Sequence, residues 1–166
     1  MNKIPIVISG SGSMGRQVGV AAHATENIEP LAYLDPLTEI AELDGLPVYK
    51  DAASCLDKEN PQVVVDFTNA AWTPTLAQEA LKQNVRLVIG TTGHTDTFLK
   101  QLESDARERH VGIVLAPNFA IGAVLLMSFA KQAAKHFDAA EIIELHHNEK
   151  VDAPSGTAKQ TAEQMI

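Results

Sequence analysis

Short apolar runs alternate with longer stretches of mixed polarity along the first two thirds of the chain. The apolar runs predict strands at residues 4–9, 28–34, 46–49, 62–67, 85–89 and 112–115. The mixed stretches predict helices at residues 14–24, 70–84 and 96–110, and residues 38–50 are a polar connector that carries the third strand. Apolar strands separated by helices are typical of a parallel sheet covered on both faces. The pattern therefore predicts an α/β fold with a doubly wound parallel sheet.

The last third of the chain has a different pattern. It predicts a long apolar helix at residues 121–136, a strand at 140–146, a loop at 152–156 and a helix from Thr157 onward. We place a domain boundary near residue 120, which gives domains at 1–120 and 121–166. The few elements of the second domain cannot form a closed layer alone, so we expect this domain to be incomplete.

Composition excludes several classes of protein. The chain has 166 residues, of which 45% are hydrophobic and 20% charged, which suits one or two globular domains. It has no run of eighteen apolar residues and no signal-peptide pattern at its start, so we expect no membrane span and a cytoplasmic location. The single Cys55 is expected to pack as a small apolar residue. A net charge of −8 argues against nucleic-acid binding, so an anionic ligand needs local positive features.

A glycine-rich loop follows the first strand and opens the first helix. Its sequence is Gly10-Ser11-Gly12-Ser13-Met14-Gly15, the G-x-G-x-x-G pattern of dinucleotide-binding proteins. In that pattern the first glycine allows the tight turn, the second lets a pyrophosphate approach the backbone, and the third lets helix and strand pack closely. The pyrophosphate is expected to rest on the N–H groups of the helix start.

Asp35 ends the second strand, twenty residues beyond Gly15, where a carboxylate accepts ribose hydroxyls in such proteins. The alternative is a solvated turn residue before Pro36. Strand context and spacing together favour cofactor binding. A carboxylate repels a 2′-phosphate, so NAD(H) is expected to bind at least as well as NADP(H), and the nearby Arg16 softens that preference.

Three other predicted strands also end in polar or turn residues. The segments are 66–68, 90–93 (Gly-Thr-Thr-Gly) and 116–119 (Ala-Pro-Asn-Phe). Ligands of open α/β sheets bind at the carboxyl ends of the strands. These residues are also ordinary turn formers, so the segments alone leave a structural role open.

Residues 144–158 combine paired histidines, a lysine and a Ser-Gly-Thr turn. Free N–H groups at a helix start attract a carboxylate, and Lys150 adds a positive charge. A histidine beside such a site can give up a proton near neutral pH, so the segment is suited to hold a small acid and protonate it. The alternative is ordinary packing: adjacent strand residues point to opposite faces, and Ser155 and Thr157 are common at helix starts. The pattern predicts no metal site.

Together these segments resemble the dihydrodipicolinate reductase family of the diaminopimelate route to lysine. The resemblance is carried by residues 10–16, 65–68, 90–93, 116–122 and 144–158. It implies a Rossmann-type domain followed by the first part of an α+β substrate and tetramerisation domain. The implied reaction is the NAD(P)H-dependent reduction of 4-hydroxy-tetrahydrodipicolinate, or of dihydrodipicolinate formed from it, to tetrahydrodipicolinate.

The resemblance also implies roles for individual residues. His146 matches the proton donor and Lys150 a lysine that contacts substrate and assists catalysis. The residues matched to substrate binding are His147, Ser155, Gly156, Thr157 and Thr92. The residues matched to cofactor binding, besides the glycine loop (Gly10, Gly12, Ser13, Met14, Gly15) and Asp35, are Phe67, Thr68, Gly90, Thr92, Ala116, Asn118 and Phe119.

The resemblance implies a homotetramer for the complete enzyme, whose chain is roughly half as long again. We therefore expect the 166-residue chain to bind dinucleotide but to show weak or no turnover. Two alternatives remain. Another Rossmann oxidoreductase, such as aspartate or homoserine dehydrogenase, shares the glycine loop but not residues 146–157. A non-catalytic dinucleotide-binding module shares the loop and needs no proton donor.

Overall fold

The computed structural model describes residues 3–146, 148 and 153–166, which form two compact units, Met1–Leu115 (unit 1) and Ala116–Ile166 (unit 2). The strands are β1 (Ile4–Ser9), β2 (Ile28–Leu34), β3 (Glu42–Leu43), β4 (Leu46–Tyr49), β5 (Val63–Asp66), β6 (Arg86–Ile89) and β7 (Ile113–Leu115). The helices are α1 (Ser13–His23), α2 (Ala52–Glu59), α3 (Thr73–Lys82), α4 (Asp96–Arg109), α5 (Ile121–Ala134) and α6 (Gly156–Met165).

Unit 1 is built on one seven-stranded sheet with the order β3-β4-β2-β1-β5-β6-β7. All pairs are parallel except β3 with β4, which form an antiparallel edge. The strand order reverses at β1, which lies between β2 and β5. This is the Rossmann topology, and the predicted α/β fold is confirmed. In such sheets the crevice at the reversal, outside the carboxyl ends of the strands, is the usual ligand site.

The core of unit 1 lies on both faces of this sheet. On one face, side chains of β1, β5 and β6 such as Val7, Val64 and Leu87 pack against Leu76 and Leu102 of α3 and α4. On the other face, a smaller cluster packs around β1 and β2, with the fully buried Ile8 and Tyr33 among its members. Because both faces are covered, β1 carries buried residues on both sides, and β5 has buried residues on one side and the partly buried Val63 and Val65 on the other. Both strands therefore appear in the sequence as apolar runs.

Cys55 lies inside the first of these clusters and is fully buried. Burial raises the pKa of its thiol to about 12. The prediction that it packs as a small apolar residue is confirmed.

Helix α2 (Ala52–Glu59) was not predicted. The Asp51 side chain accepts a hydrogen bond from the Ser54 backbone N–H at 2.8 Å and caps its first turn. Asn60, in the left-handed conformation before Pro61, ends it. The cap, the apolar face and the terminating residue of α2 are all present in the sequence. The helix has only eight residues and follows a polar connector, so its helical periodicity is too short to recognise.

The predicted strand at 140–146 is wrong, because these residues have no regular secondary structure. A strand exists only where a second strand pairs with its backbone, and the described part of unit 2 contains no other strand. Ile143 and Leu145 are 85% and 91% exposed, and Met127 is the only buried apolar side chain among the described residues of unit 2. The segment does contain apolar residues, but no strand among the described residues of unit 2 pairs with it.

No helix in the described ranges is long and apolar enough to cross a membrane. The described residues also contain no cluster of three histidine, cysteine or acidic side chains that could hold a metal ion.

Candidate functional site

The glycine loop lies at the carboxyl end of β1, where the strand order reverses. Gly10 has a φ of +111°, and a Cβ added to it would lie 2.6 Å from the Phe67 carbonyl oxygen, so the β1 and β5 ends touch at this residue. A Cβ on Gly15 would lie 1.8 Å from the Gly10 carbonyl oxygen, which brings the first turn of α1 against the loop. Both positions therefore require glycine for steric reasons.

Gly12 differs from these two glycines because a Cβ added to it would meet nothing within 4 Å. It is the N-cap residue of α1, and no side chain caps this helix. The N–H groups of the first turn therefore face open space beside a backbone without side-chain atoms. This arrangement suits a phosphate, which the positive end of the helix attracts.

The Asp35 carboxylate lies next to the glycine loop. It accepts hydrogen bonds from the Ser11 N–H at 2.9 Å and the Ser11 hydroxyl at 2.6 Å, and its other oxygen accepts one from Leu37 N–H at 3.0 Å. Burial raises the pKa of this carboxyl, but the bonds from Ser11 and from the Leu37 and Thr38 backbone outweigh it, so the pKa lies below its ordinary value. An ionised acceptor thus lies beside the phosphate position, where ribose hydroxyls can reach it.

A cavity of about 380 Å³ joins these features and is open to solvent. It is lined by the glycine loop, by residues 35–38 after β2 and by residues 67–69 after β5. A larger groove of about 710 Å³ lies between α4 and β7, but its lining is mostly apolar and includes Leu99, Leu102, Val111 and Ile113. We assign the dinucleotide to the smaller of these two cavities, because there the Asp35 carboxylate lies beside the glycine loop at the start of α1.

Phe67 and Gly90 contact each other at the carboxyl ends of β5 and β6, next to the glycine loop. A Cβ on Gly90 would lie 2.1 Å from the Phe67 ring, so the ring rests directly on the Gly90 backbone. Thr68 lines the cavity, and its N–H donates to the Thr91 hydroxyl at 2.9 Å. Thr92 follows on the same loop and is exposed. Of the predicted cofactor residues, those from unit 1 therefore lie along one edge of the sheet.

The predicted residues of unit 2 form a second group. The Asn118 side-chain amide donates to the Thr157 hydroxyl at 3.2 Å, which joins the 116–119 segment to the start of α6, while Phe119 is exposed. The Asn118 side-chain oxygen Oδ1 also accepts from the Ala120 N–H at 2.8 Å, which fixes the turn before α5. Ala116, which precedes this turn, belongs to the same unit.

Helix α6 begins at Gly156, one residue earlier than predicted, and Ser155 is its N-cap. The Ser155 hydroxyl accepts from the Ala158 N–H at 3.1 Å, so the ordinary helix-start role considered for this serine is real. The Ser155 N–H also donates to the Glu144 carboxylate at 2.7 Å, and the Ser155 hydroxyl contacts the second oxygen of that carboxylate. The start of α6 therefore contacts the carboxylate of Glu144 in this structure.

His146 lies beside that carboxylate. Its Nδ1 is 3.8 Å from the Glu144 Oε2, and its side chain is 39% exposed. Glu144 thus touches both the predicted proton donor and the predicted anion-binding turn. His147 and Lys150 lie outside the described residues, as does Asp152 of the predicted 152–156 loop.

Four contributors to these sites were not predicted: Ser11, Asp66, Thr91 and Glu144. All four lie within the sequence motifs described above, but the residues that they contact are determined by the tertiary structure. Asp66 is fully buried and accepts hydrogen bonds from the hydroxyls of Thr68, Thr73 and Thr91 at 2.6, 2.7 and 3.0 Å.

His94, after the Gly-Thr-Thr-Gly segment, gives a testable pH dependence. Both ring nitrogens are buried without a hydrogen-bond partner in the described ranges, and the ring packs against Phe98 with centroids 5.1 Å apart. Burial lowers the pKa of His94 below its ordinary 6.5, and the Thr91 backbone and Asp66 offset this only in part.

Because the folded pKa is depressed, the contribution of neutral His94 to stability is complete above pH 6.5 and is lost as pH falls through the folded pKa. We expect His94→Phe to flatten the decrease in stability between about pH 7 and pH 5. Urea unfolding of both proteins at several pH values measures this. Parallel pH profiles for the two proteins would contradict the assignment.

Comparison with known proteins agrees with this architecture. The family described as Dihydrodipicolinate reductase, N-terminus, matches residues 4–119, and its partner, Dihydrodipicolinate reductase, C-terminus, matches residues 122–166. The 4-hydroxy-tetrahydrodipicolinate reductase of Geobacillus kaustophilus (strain HTA426) is 43% identical over 169 residues, covering 96% of this chain and 64% of that protein. That of Bacillus mycoides (strain KBAB4) is 42% identical over 176 residues, covering 98% of this chain and 65% of the relative.

Solved structures give the same result. A dipicolinate-bound dihydrodipicolinate reductase from Paenisporosarcina sp. TG-14 superposes with a TM-score of 0.84 at 40% identity, covering 98% of this chain and 65% of that one. Homoserine dehydrogenase of S. aureus, with a TM-score of 0.61 at 18% identity, shares the fold alone. This chain thus spans about 64% of the length of the Geobacillus relative. Because the two family models together match residues 4–119 and 122–166, the chain belongs to the dihydrodipicolinate reductase family.

Proposed function

We propose that the protein carrying this sequence reduces 4-hydroxy-tetrahydrodipicolinate, or the dihydrodipicolinate formed from it by loss of water, to tetrahydrodipicolinate with NAD(P)H. The structure at the start of α1 supports the proposal independently of family membership. The first turn of α1 is uncapped and opens beside Gly12, where no Cβ would meet another atom, and the Asp35 carboxylate lies against the same loop. These residues fit the pyrophosphate and ribose of a dinucleotide.

When bound, the reduced nicotinamide supplies the hydride. The chain's own residues bind and orient it. The first-turn N–H groups of α1 (Ser13, Met14, Gly15) hold the pyrophosphate and Asp35 holds the ribose hydroxyls. The nicotinamide half is assigned to Phe67, Thr68, Gly90, Thr92, Ala116, Asn118 and Phe119.

The diacid is assigned to the start of α6. Ser155 already donates to the Glu144 carboxylate, and no described residue accepts a hydrogen bond from the N–H groups of Gly156 and Thr157, which remain for a substrate carboxylate. His147 and Lys150 complete this site in the proposal, and Thr92 in unit 1 keeps its own assignment to substrate binding. The relative from Paenisporosarcina binds dipicolinate, a planar diacid of the same type.

His146 is the proposed proton donor. Hydride addition to a conjugated imine leaves negative charge on the neighbouring atoms, and a protonated imidazole quenches it by giving up its proton. Positive charge from Lys150 and the α6 N-terminus stabilises the diacid and the charge that develops during reaction.

NADH is proposed to serve at least as well as NADPH. The Asp35 carboxylate, with a lowered pKa, repels a 2′-phosphate. The Arg16 side chain, which could attract that phosphate, donates to the Ser11 carbonyl at 3.0 Å and is thereby held at the loop.

The proposal includes a homotetramer and a cytoplasmic location for the complete enzyme. Apolar side chains exposed on unit 2, among them Leu126 and Phe129 at 64% and 62%, support an assembly surface there. The buried, unpaired Cys55 suits a reducing compartment.

A coupled assay tests the proposed function. Aspartate semialdehyde, pyruvate and the condensing synthase generate the substrate, and loss of NADH or NADPH absorbance reports reduction, with the chain in excess so that slow turnover is visible. We expect slow oxidation that requires the synthase and is absent with aspartate or homoserine. Cofactor binding without any oxidation favours a non-catalytic module, and oxidation with homoserine favours the other dehydrogenases. Rapid steady-state turnover by the 166-residue chain would contradict the expectation of weak turnover.

A further inference from the structure

Asp66 is a buried acidic residue that no step of the proposed reaction uses. It is the last residue of β5 and is fully buried, and burying a carboxylate is costly unless it is hydrogen-bonded. Three threonine hydroxyls satisfy it: Thr68 on Oδ1, and Thr73 and Thr91 on Oδ2. A leucine or valine at this position would need no such partners, so filling the core does not by itself require a carboxylate here.

The three bonds differ in what they connect. Thr68 lies in the loop after β5 (residues 67–72, the β5 loop), and Thr73 begins α3 directly after it, so their bonds stay within one connection. Thr91 lies in the loop after β6 (residues 90–95, the β6 loop), 25 residues from Asp66. Its hydroxyl donates to Asp66 and accepts from the Thr68 N–H at 2.9 Å. Thr91 therefore ties the β5 loop to the β6 loop through Asp66.

The same two loops carry the residues assigned to the nicotinamide half. Thr68 follows Phe67, whose ring rests on Gly90, and Thr92 follows Thr91. The backbone pairing of β5 with β6 ends at the Gly90 N–H, which donates to the Asp66 carbonyl at 2.9 Å. Beyond that bond, the hydroxyl of Thr91 is held by Asp66 and by the Thr68 N–H, and the Phe67 ring rests on Gly90, so side-chain contacts hold the two loops together.

We propose that Asp66 is a positioning residue of the cofactor site: through Thr68 and Thr91 it holds the β5 and β6 loops, before cofactor arrives, in the arrangement that receives the nicotinamide half. The proposal rests on the proposed function. Loops fixed in advance lose less conformational entropy on binding, so the network acts on affinity for the nicotinamide half and not on the adenosine half.

Two matched substitutions separate this role from simple burial. Thr91→Val and Thr73→Val are nearly isosteric, and each removes one hydroxyl bond to the same Asp66 oxygen, but only the first unties the two loops. We expect Thr91→Val to weaken NADH binding about tenfold, and Thr73→Val to stay within about twofold of wild type. Affinity for ADP-ribose, which lacks nicotinamide, is expected to be unchanged in both. Thr91→Ser, which keeps the hydroxyl, is expected to restore NADH binding.

If Asp66 serves packing alone, Thr73→Val should weaken NADH binding at least as much as Thr91→Val does, because Thr73 is fully buried whereas Thr91 is 6% exposed. Equal loss of NADH affinity in the two variants, or loss of ADP-ribose affinity in Thr91→Val, overturns the proposal. If wild type binds NADH but the variants do not differ, only this inference fails. If wild type binds neither NADH nor ADP-ribose, the proposed function fails first.

Hydrogen exchange on the wild-type chain gives a second test that needs no variant to fold. The Thr68 N–H, bonded to the Thr91 hydroxyl, is expected to be protected already without NADH. Free exchange of this amide until NADH is added would show that the loops are not held in advance, and would overturn the proposal.

Discussion

Gly12→Ala is expected to weaken NADH binding about a hundredfold while lowering the free energy of unfolding by about 1 kcal/mol or less. The new Cβ meets no protein atom within 4 Å, so the fold tolerates it, but it occupies the space through which the pyrophosphate approaches the backbone. Fluorescence titration with NADH and urea unfolding measure the two effects separately.

Gly112→Ala is the matched control. A Cβ at Gly112 also meets nothing within 4 Å, but this residue precedes β7, at the opposite end of the strands, and lines the apolar groove beside α4. We expect it to leave NADH affinity unchanged. Equal effects of the two substitutions, or undiminished NADH binding by Gly12→Ala, would show that the dinucleotide binds elsewhere.

His146→Gln is expected to lower the rate of NADH oxidation by roughly 10²–10⁴-fold, the usual contribution of a general acid. Glutamine keeps a polar side chain of similar reach but cannot give up a proton near neutral pH. NADH affinity is expected to remain, because the dinucleotide residues on the glycine loop are untouched. Coupled single-turnover traces and NADH titrations of the same protein preparation measure both quantities.

The control for this prediction is His136→Gln, the same replacement at an exposed residue just after α5. It is expected to leave both rate and affinity unchanged. If the two variants oxidise NADH at the same rate, His146 is not the proton donor, and Lys150 becomes the residue to test.

The first unit was predictable because its signals are local. The glycine loop is contiguous, and β1 and β2 have the predicted bounds, since strands of a covered parallel sheet appear as mostly apolar runs. The segment at 140–146 failed for the opposite reason. Its apolar residues favour a strand by composition, but a strand also needs a partner strand, and the sequence of the segment does not specify one. Ile143 and Leu145 are largely exposed in the structure.

The same distinction explains the site. The position of Asp35 followed from its spacing, whereas its bonds to Ser11 depend on how the β1 and β2 ends meet. The contact between Asp66 and Thr91 requires the register that places Asp66 opposite Ile89, and no motif carries that register. Residue types at strand ends thus predict where a ligand binds, and tertiary pairing determines which side chains lie beside these positions.

Amide chemical-shift mapping of the labelled chain shows whether a dinucleotide binds the glycine-loop edge of unit 1 and a diacid binds the start of α6. NADH is predicted to shift the amides of Gly12, Ser13 and Met14 most strongly, with Gly90 next. Dipicolinate added afterwards is predicted to shift Gly156 and Thr157. Strongest shifts from NADH along the groove of Leu102 and Val111, or dipicolinate shifts that omit the start of α6, would contradict the account.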